Sequence, residues 1–305
     1  MKQFICFLLC AILIGSFLSL STGCSRHPFY KKKQIFLIDL KKKIGIAEFD
    51  NRLKKISDTN IETFYQRIVS DMKRSDSSLI FSMSDGKPEI LSKSSRLLST
   101  DHIDRQALIK SGREKGYQAI IWGDIYDIQI ISKKTGIIGF RKEKKHVRFR
   151  GEFSLFDCGT QAKLWYAPIE EIFLFESLFD PMENKIAIID DLTIERVLSR
   201  LSKIITEQMS FHLKKEPWKG FIIDNNNDEY LISSGHKSGL LNHMIFDVIG
   251  SMGTLAGIYG QKYDIPGNTI GRIQLIEVND HNSKAIALYG NKLENSIAIQ
   301  ELTDK

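Results

Sequence analysis

The chain is short of cysteine. Four occur in 305 residues, and three of them, Cys6, Cys10 and Cys24, fall at the N-terminus. Cys6 and Cys10 lie in an apolar leader, and Cys24 is the residue such a leader would leave first. Only Cys158 then remains for pairing, so no disulfide can form within one mature chain. Catalytic signatures are also missing. There is no Gly-x-Ser-x-Gly elbow and no Gly-x-x-x-x-Gly-Lys-Ser/Thr phosphate loop. The seven histidines are scattered, and His236 and His243 do not have a metal-ligand spacing. Gly250, Gly253, Gly257 and Gly260 follow a strand but are not spaced as a dinucleotide-binding turn, and no helix follows, so they read as a β-loop. Glu170-Glu171 and Asp190-Asp191 are adjacent acids of the kind that serve solubility or helix capping. These absences point to no enzyme, no cofactor and no metal.

What is present suffices for a globular body. A hydrophobic fraction of 42% beside 26% charged residues is ordinary and allows a real core. The length fits about two domains. The net charge of +6 is modest and partly local, in Lys31-Lys32-Lys33, Lys41-Lys42-Lys43 and the segment 133–145. Basic runs of this size are solvated, or they touch anionic surfaces; nothing here demands nucleic acid.

The N-terminus gives an address. Lys2 precedes an almost wholly apolar run, Phe4–Leu20, and Leu20-Ser21-Thr22-Gly23-Cys24 follows. This is the layout of a secretory signal, residues 1–23, ending in a bacterial lipobox with Cys24 as the lipidated residue. Ser21 stands where the lipobox pattern has an aliphatic residue, and Leu20 lies one place too early. An uncleaved anchor and ordinary signal cleavage are the other readings; the run is shorter than the roughly 20 residues of a spanning helix. Residues 24–37 are polar and basic and read as a tether, whose Ser25–Leu37 part reaches at most roughly 45 Å. Ser25 supplies no aspartate of the kind that retains bacterial lipoproteins in the inner membrane.

The body falls into two parts, 38–215 and 216–305. In the first, Ile44–Phe49 is a buried strand. Thr59-Asn60-Ile61-Glu62 fits a capping box, and Ile61, Phe64, Tyr65, Ile68 and Met72 share one helical face. Leu79–Met83 is a second strand and Asp101–Lys115 a second helix, with Ile103, Ala107 and Leu108 inward. A strand runs from about Tyr117 to Ile131. From His146 to Leu155 the alternation is strict, with Val147, Phe149, Phe153 and Leu155 on one face and His146, Arg148, Arg150, Glu152 and Ser154 on the wet one. Asp157-Cys158-Gly159-Thr160 is a turn into a strand from Lys163, with Cys158 structural. A long helix follows from Thr193. After Pro217-Trp218 no helix is evident. Short apolar runs alternate instead with turn residues, as in a small barrel or sandwich.

One connection stands apart. The segment 133–145 joins two strands and carries Ile137, Ile138 and Phe140 at its tip. Lys133, Lys134, Arg141, Lys142, Lys144 and Lys145 form a basic collar. Such a loop can enter a membrane interface or dock on an anionic partner; folding back on the body is the alternative. Ile137, Ile138, Phe140, Arg141 and Lys142 are the candidate contact residues.

The segment Gly116-Tyr117-Gln118-Ala119-Ile120-Ile121-Trp122-Gly123-Asp124-Ile125 and the turn at Asp157–Thr160 resemble the TolB-N-like (anticodon-binding-like) domain. That domain is shared by the curli-secretion lipoprotein, the penicillin-binding-protein activator lipoprotein and flagellar assembly protein T. Trp218-Lys219-Gly220-Phe221-Ile222-Ile223, Gly235-His236-Lys237-Ser238-Gly239-Leu240 and Met244-Ile245-Phe246-Asp247-Val248 are similar to the C-terminal domain of the flagellar assembly protein T family. The resemblance implies an α+β chain: a mixed α/β domain followed by a small all-β, barrel-like domain. It implies a non-enzymatic envelope scaffold at the periplasmic face of the outer membrane. The flagellar basal body is the leading partner, with a curli-type secretion pore or a penicillin-binding-protein activator as alternatives. Self-association is compatible with all three. Metabolic labelling with palmitate should mark the wild type and not Cys24→Ala; equal labelling of both would refute the lipobox reading.

Overall fold

The structure, a computed structural model, describes residues 39–51, 56–74, 77–83, 101–137, 142–174, 191–226, 229–258 and 260–302. Cys24, the leader and the tether lie outside these residues. Asp39–Lys305 forms one compact unit. The fold is α+β, with two six-stranded sheets.

The first sheet contains β1 (Lys42–Ile46), β2 (Asp50–Asn51), β3 (Ser78–Ser82), β4 (Ala119–Thr135), β5 (Lys142–Asp157) and β6 (Lys163–Leu174). Its order is β3-β1-β4-β5-β6, with β2 continuing alongside β4. The β3, β1 and β4 strands are parallel, and β4, β5 and β6 form an antiparallel meander. Helices α1 (Asp58–Lys73) and α3 (Asp191–Lys215) cover one face, and α2 (Asp101–Glu114) packs on the other.

The core follows from the periodicities. Ile61, Phe64, Tyr65, Ile68 and Met72 of α1 are all buried, as are Val147, Phe149, Phe153 and Leu155 of β5. Each such side chain contributes about 1.5–3 kcal/mol by leaving water. The rings of Phe49 and Phe153 meet edge to face at 5.5 Å, and Phe64 closes the cluster. Gly123 makes room for it: a Cβ there would stand 2.5 Å from the Phe153 ring and 2.8 Å from that of Phe49. The helix start differs from the capping-box expectation. Ser57, not Thr59, is the cap, its hydroxyl accepting from the Asn60 N–H at 3.3 Å; Thr59 already lies in the first turn. In α2, Leu108 is buried as expected, whereas Ala107 is exposed and Ile109 takes the inward place.

The second sheet contains β7 (Ile222–Asn226), β8 (Glu229–Ile232), β9 (Ile245–Ala256), β10 (Lys262–Val278), β11 (Ser283–Tyr289) and β12 (Ala298–Glu301), in the order β12-β9-β10-β11-β8-β7. It is not closed into a barrel. Among the described residues an isolated bridge pairs Gly220, ahead of β7, with Ile299 of β12. The glycine-rich β-loop expected near Gly250–Gly260 is instead mostly strand: β9 and β10 pair out to Ala256 and Lys262 across three register shifts.

The two sheets meet along a polar and apolar seam. Phe221 and Ala298 of the second sheet join Ala47, Leu108, Tyr117, Ile120, Phe156 and Cys158 in one buried cluster. Gln118, 3% exposed, donates to Pro217 O at 2.6 Å and accepts from Lys219 N–H at 2.9 Å. The ammonium of Lys219 pairs with buried Asp157. Lys43 Nζ donates to Ser233 O at 2.8 Å, and Arg113 Nη2 to Ser296 O at 2.6 Å. Gly116 ends α2 at φ 76°, where a Cβ would lie 2.3 Å from Ser233 Cβ. Burial, helped by Asp157, pushes the Cys158 thiol well above its usual range, which keeps it protonated and inert.

Two substitutions test the seam. Gly116→Ala adds left-handed strain of about 1–2 kcal/mol and a clash with Ser233. Lys219→Met strips Asp157 of its buried counter-ion, a loss of about 3 kcal/mol. Both should lower the denaturant midpoint. Unchanged midpoints would show that the seam does not bear on stability.

Candidate functional site

The long β4–β5 hairpin outruns the sheet that roots it. On one side the described part of β6 pairs as far as Leu174, opposite His146. On the other, β2 follows β4 only to Ile125. Beyond the Ile131–His146 pair the two strands, among the described residues, pair only with each other, as Ser132–Lys145, Lys133–Lys144, Lys134–Glu143 and Thr135–Lys142. At about 3.4 Å per residue this free ribbon rises roughly 14 Å. Residues 132–137 are all exposed, and Ile137 is 81% exposed.

The ribbon therefore presents an apolar residue above a ring of lysines. Lys133 sits directly opposite Lys144, a like-charge pair that weakens a hairpin by some tenths of a kcal/mol. The next pair sets Lys134 opposite Glu143. Ile137 does not fold back on the body. Lys142 pairs with Thr135 at the foot of the turn. Ile138, Phe140 and Arg141 lie outside the described residues.

The root is fixed from both faces. Beneath it, Val147 and Phe149 are fully buried. On the other face Arg148 donates to Gln129 at 2.6 Å, and Arg150 Nε donates to Asp127 at 2.9 Å. The face expected to be wet is thus half-buried. Further along β5 it carries a network that the strand alternation did not reveal. Asp124, 1% exposed, receives Arg105 Nη2 at 3.2 Å and the Trp122 indole N–H at 3.0 Å. Arg105 lies 3.8 Å from Glu152, which accepts from Tyr166 Oη at 3.1 Å. Lys163 lies 4.5 Å over the Tyr166 ring. Burial, aided by Arg105, lowers the Lys163 ammonium pKa, against the pull of Glu152 and Asp124.

Asp124 and Asp127 were the readable signal for this network, since acids inside an apolar strand demand partners. The network ties α2 to the sheet. Asp124 is held in place by a guanidinium and an indole N–H. Among the described residues no group of three or more His, Cys, Asp or Glu is arranged to hold a metal ion. Among the same residues no helix is long and apolar enough to cross a membrane.

No protein-family profile matches the chain, and no curated protein matches it. The resemblance to flagellar assembly protein T therefore rests on the motifs quoted above. Solved structures show similarity over parts of the chain. The hypothetical protein CT253 from Chlamydia trachomatis is 7% identical with a TM-score of 0.37, over 58% of this chain and 99% of its own. Lipoprotein GNA1162 from Neisseria meningitidis is 10% identical with a TM-score of 0.33, over 56% and 99%. The PelC dodecamer from Paraburkholderia phytofirmans is 10% identical with a TM-score of 0.31, over 54% and 86%. Likeness at this level carries no functional argument.

Ribbon and network should respond differently to substitution. Arg105→Met leaves Asp124 buried without its guanidinium and should cost about 2–3 kcal/mol. Ile137→Asp, at an exposed tip, should change stability by no more than about 0.5 kcal/mol. Equal losses in chemical denaturation would show that the ribbon packs on the body.

Proposed function

We propose that the protein is a non-enzymatic, lipid-anchored envelope scaffold, tethered through Cys24 at the periplasmic face of the outer membrane. The free β4–β5 ribbon is its contact element. The observation that carries this reading is the exposed Ile137 above Lys133, Lys134, Lys144 and Lys145 on a rooted, two-stranded arm. In sequence, Ile138, Phe140, Arg141 and Lys142 complete the same tip. An apolar point with a cationic collar suits the rim of an envelope assembly or an anionic interface. The motif resemblance in the C-terminal part makes the flagellar basal body the leading machine.

The scaffold reading is favoured over a secretion pore by the charge on the ribbon. Consecutive strand residues face opposite ways. Lys133 and Lys134, and likewise Lys144 and Lys145, therefore put a lysine on each face. A membrane-crossing hairpin needs one apolar face. A penicillin-binding-protein activator remains the alternative within the scaffold class, and stimulation of glycan polymerisation would identify it.

Deletion of the gene should impair motility and remove or thin basal-body rings. Complementation with Ile137→Asp/Phe140→Asp should fail although the protein reaches the envelope at normal abundance. Normal motility with intact rings after deletion would sink the flagellar assignment. Full rescue by the tip variant would sink the role of the ribbon.

A further inference from the structure

Where the ribbon leaves the sheet, α3 starts against the end of β6, and a cleft of about 570 Å³ opens between them and α1. Three arginines line it: Arg67 from α1, and Arg196 and Arg200 from α3. Its one acid, Glu195, reaches Arg67 at 3.6 Å, with both side chains partly in water. Among the described residues neither Arg196 nor Arg200 has a carboxylate partner. The two stand four apart on one helix face, a like-charge spacing that destabilises a helix slightly. The Arg200 guanidinium lies 5.4 Å over the Phe173 ring, within cation–π range.

The rest of the lining is apolar. Phe173 and Leu174 end β6, and Leu192 sits in the first turn of α3. Leu174 is 49% exposed and Leu192 57% exposed, so this hydrocarbon faces water beside the arginines. Convergent cations and an exposed apolar wall share one concavity. A small free anion accounts for the first and leaves the second unexplained. A purely apolar partner does the reverse.

We propose that this cleft binds the anionic end of an amphiphile. Its phosphate or carboxylate would lie on Arg196 and Arg200, whose paired N–H groups match two oxygens of one anion. Its hydrocarbon would lie along Phe173, Leu174 and Leu192. A few placed polar groups in an apolar recess is the usual make-up of a ligand site. The proposal needs neither the flagellar assignment nor contact by the ribbon tip.

The test uses the full-length protein in a neutral detergent, titrated separately with dihexanoyl phosphatidylglycerol, dihexanoyl phosphatidylcholine and inorganic phosphate. Native mass spectrometry counts what is bound. One phosphatidylglycerol per chain is expected, at least about tenfold tighter than the other two probes. Arg196→Ala/Arg200→Ala should weaken it about tenfold or more. Leu192→Ser should weaken the lipid and leave phosphate binding unchanged. Arg196→Lys/Arg200→Lys keeps charge and fold but loses the paired N–H geometry, and should also bind more weakly. Wild-type affinity in both arginine variants would overturn the site. Phosphate binding as tightly as phosphatidylglycerol, or phosphatidylcholine binding equally well, would overturn the amphiphilic, anionic ligand.

Discussion

The structure depends on one buried amide. Gln118 sits where the first sheet begins its central strand, and every polar group it carries is engaged. Its backbone N–H donates to Lys43 O at 2.7 Å, and its backbone O accepts from Cys158 N–H at 3.0 Å. Its side chain grips Pro217 O and Lys219 N–H, which lead into the second sheet. An amide this deep is costly unless satisfied on all sides. Here the cost is offset only when β1, the β5–β6 turn and the Pro217–Lys219 segment all stand in their native places. Asp157 repeats the logic a few ångströms on, accepting from Gly159 N–H at 2.7 Å and pairing with Lys219.

That seam explains how the outer parts of the fold are held. The second sheet and α2 cover one face of the first sheet, and α1 with α3 cover the other. With both faces engaged at its root, β4 and β5 run on past their described neighbours as a two-stranded ribbon. The Arg105–Asp124–Trp122 cluster braces α2 over the same strands. The charged tip and the arginine cleft then lie at one end of the body, since Leu174 lines the cleft and pairs with His146 where the ribbon departs.

Much of this was legible in the residues. Alternation at His146–Leu155 and the 3.6-residue stripe of α1 gave strand, helix and inward faces, because each pattern is local and set by burial. The short strands after Pro217 were equally plain from their turn residues. Local chemistry misjudged the start of α1, where two hydroxyls compete and Ser57 captures the free N–H. The reach of β9 and β10 was hidden because the outer half of β9 is exposed on both faces and that of β10 is half-buried at most, so neither shows an apolar alternation. The seam was not legible. Gln118 and Lys219 are a hundred residues apart, and nothing in either neighbourhood marks them as partners. The cleft was missed for the same reason: Arg67 comes from a different helix than Arg196 and Arg200.

The central claim is that the projecting tip is the working contact of an envelope scaffold. The most direct measurement places a photo-reactive amino acid at position 137 in living cells, with position 211 on the exposed side of α3 as control. Position 137 should cross-link to an envelope protein or lipid, and position 211 should not. No adduct from 137 above that from 211 would contradict the account.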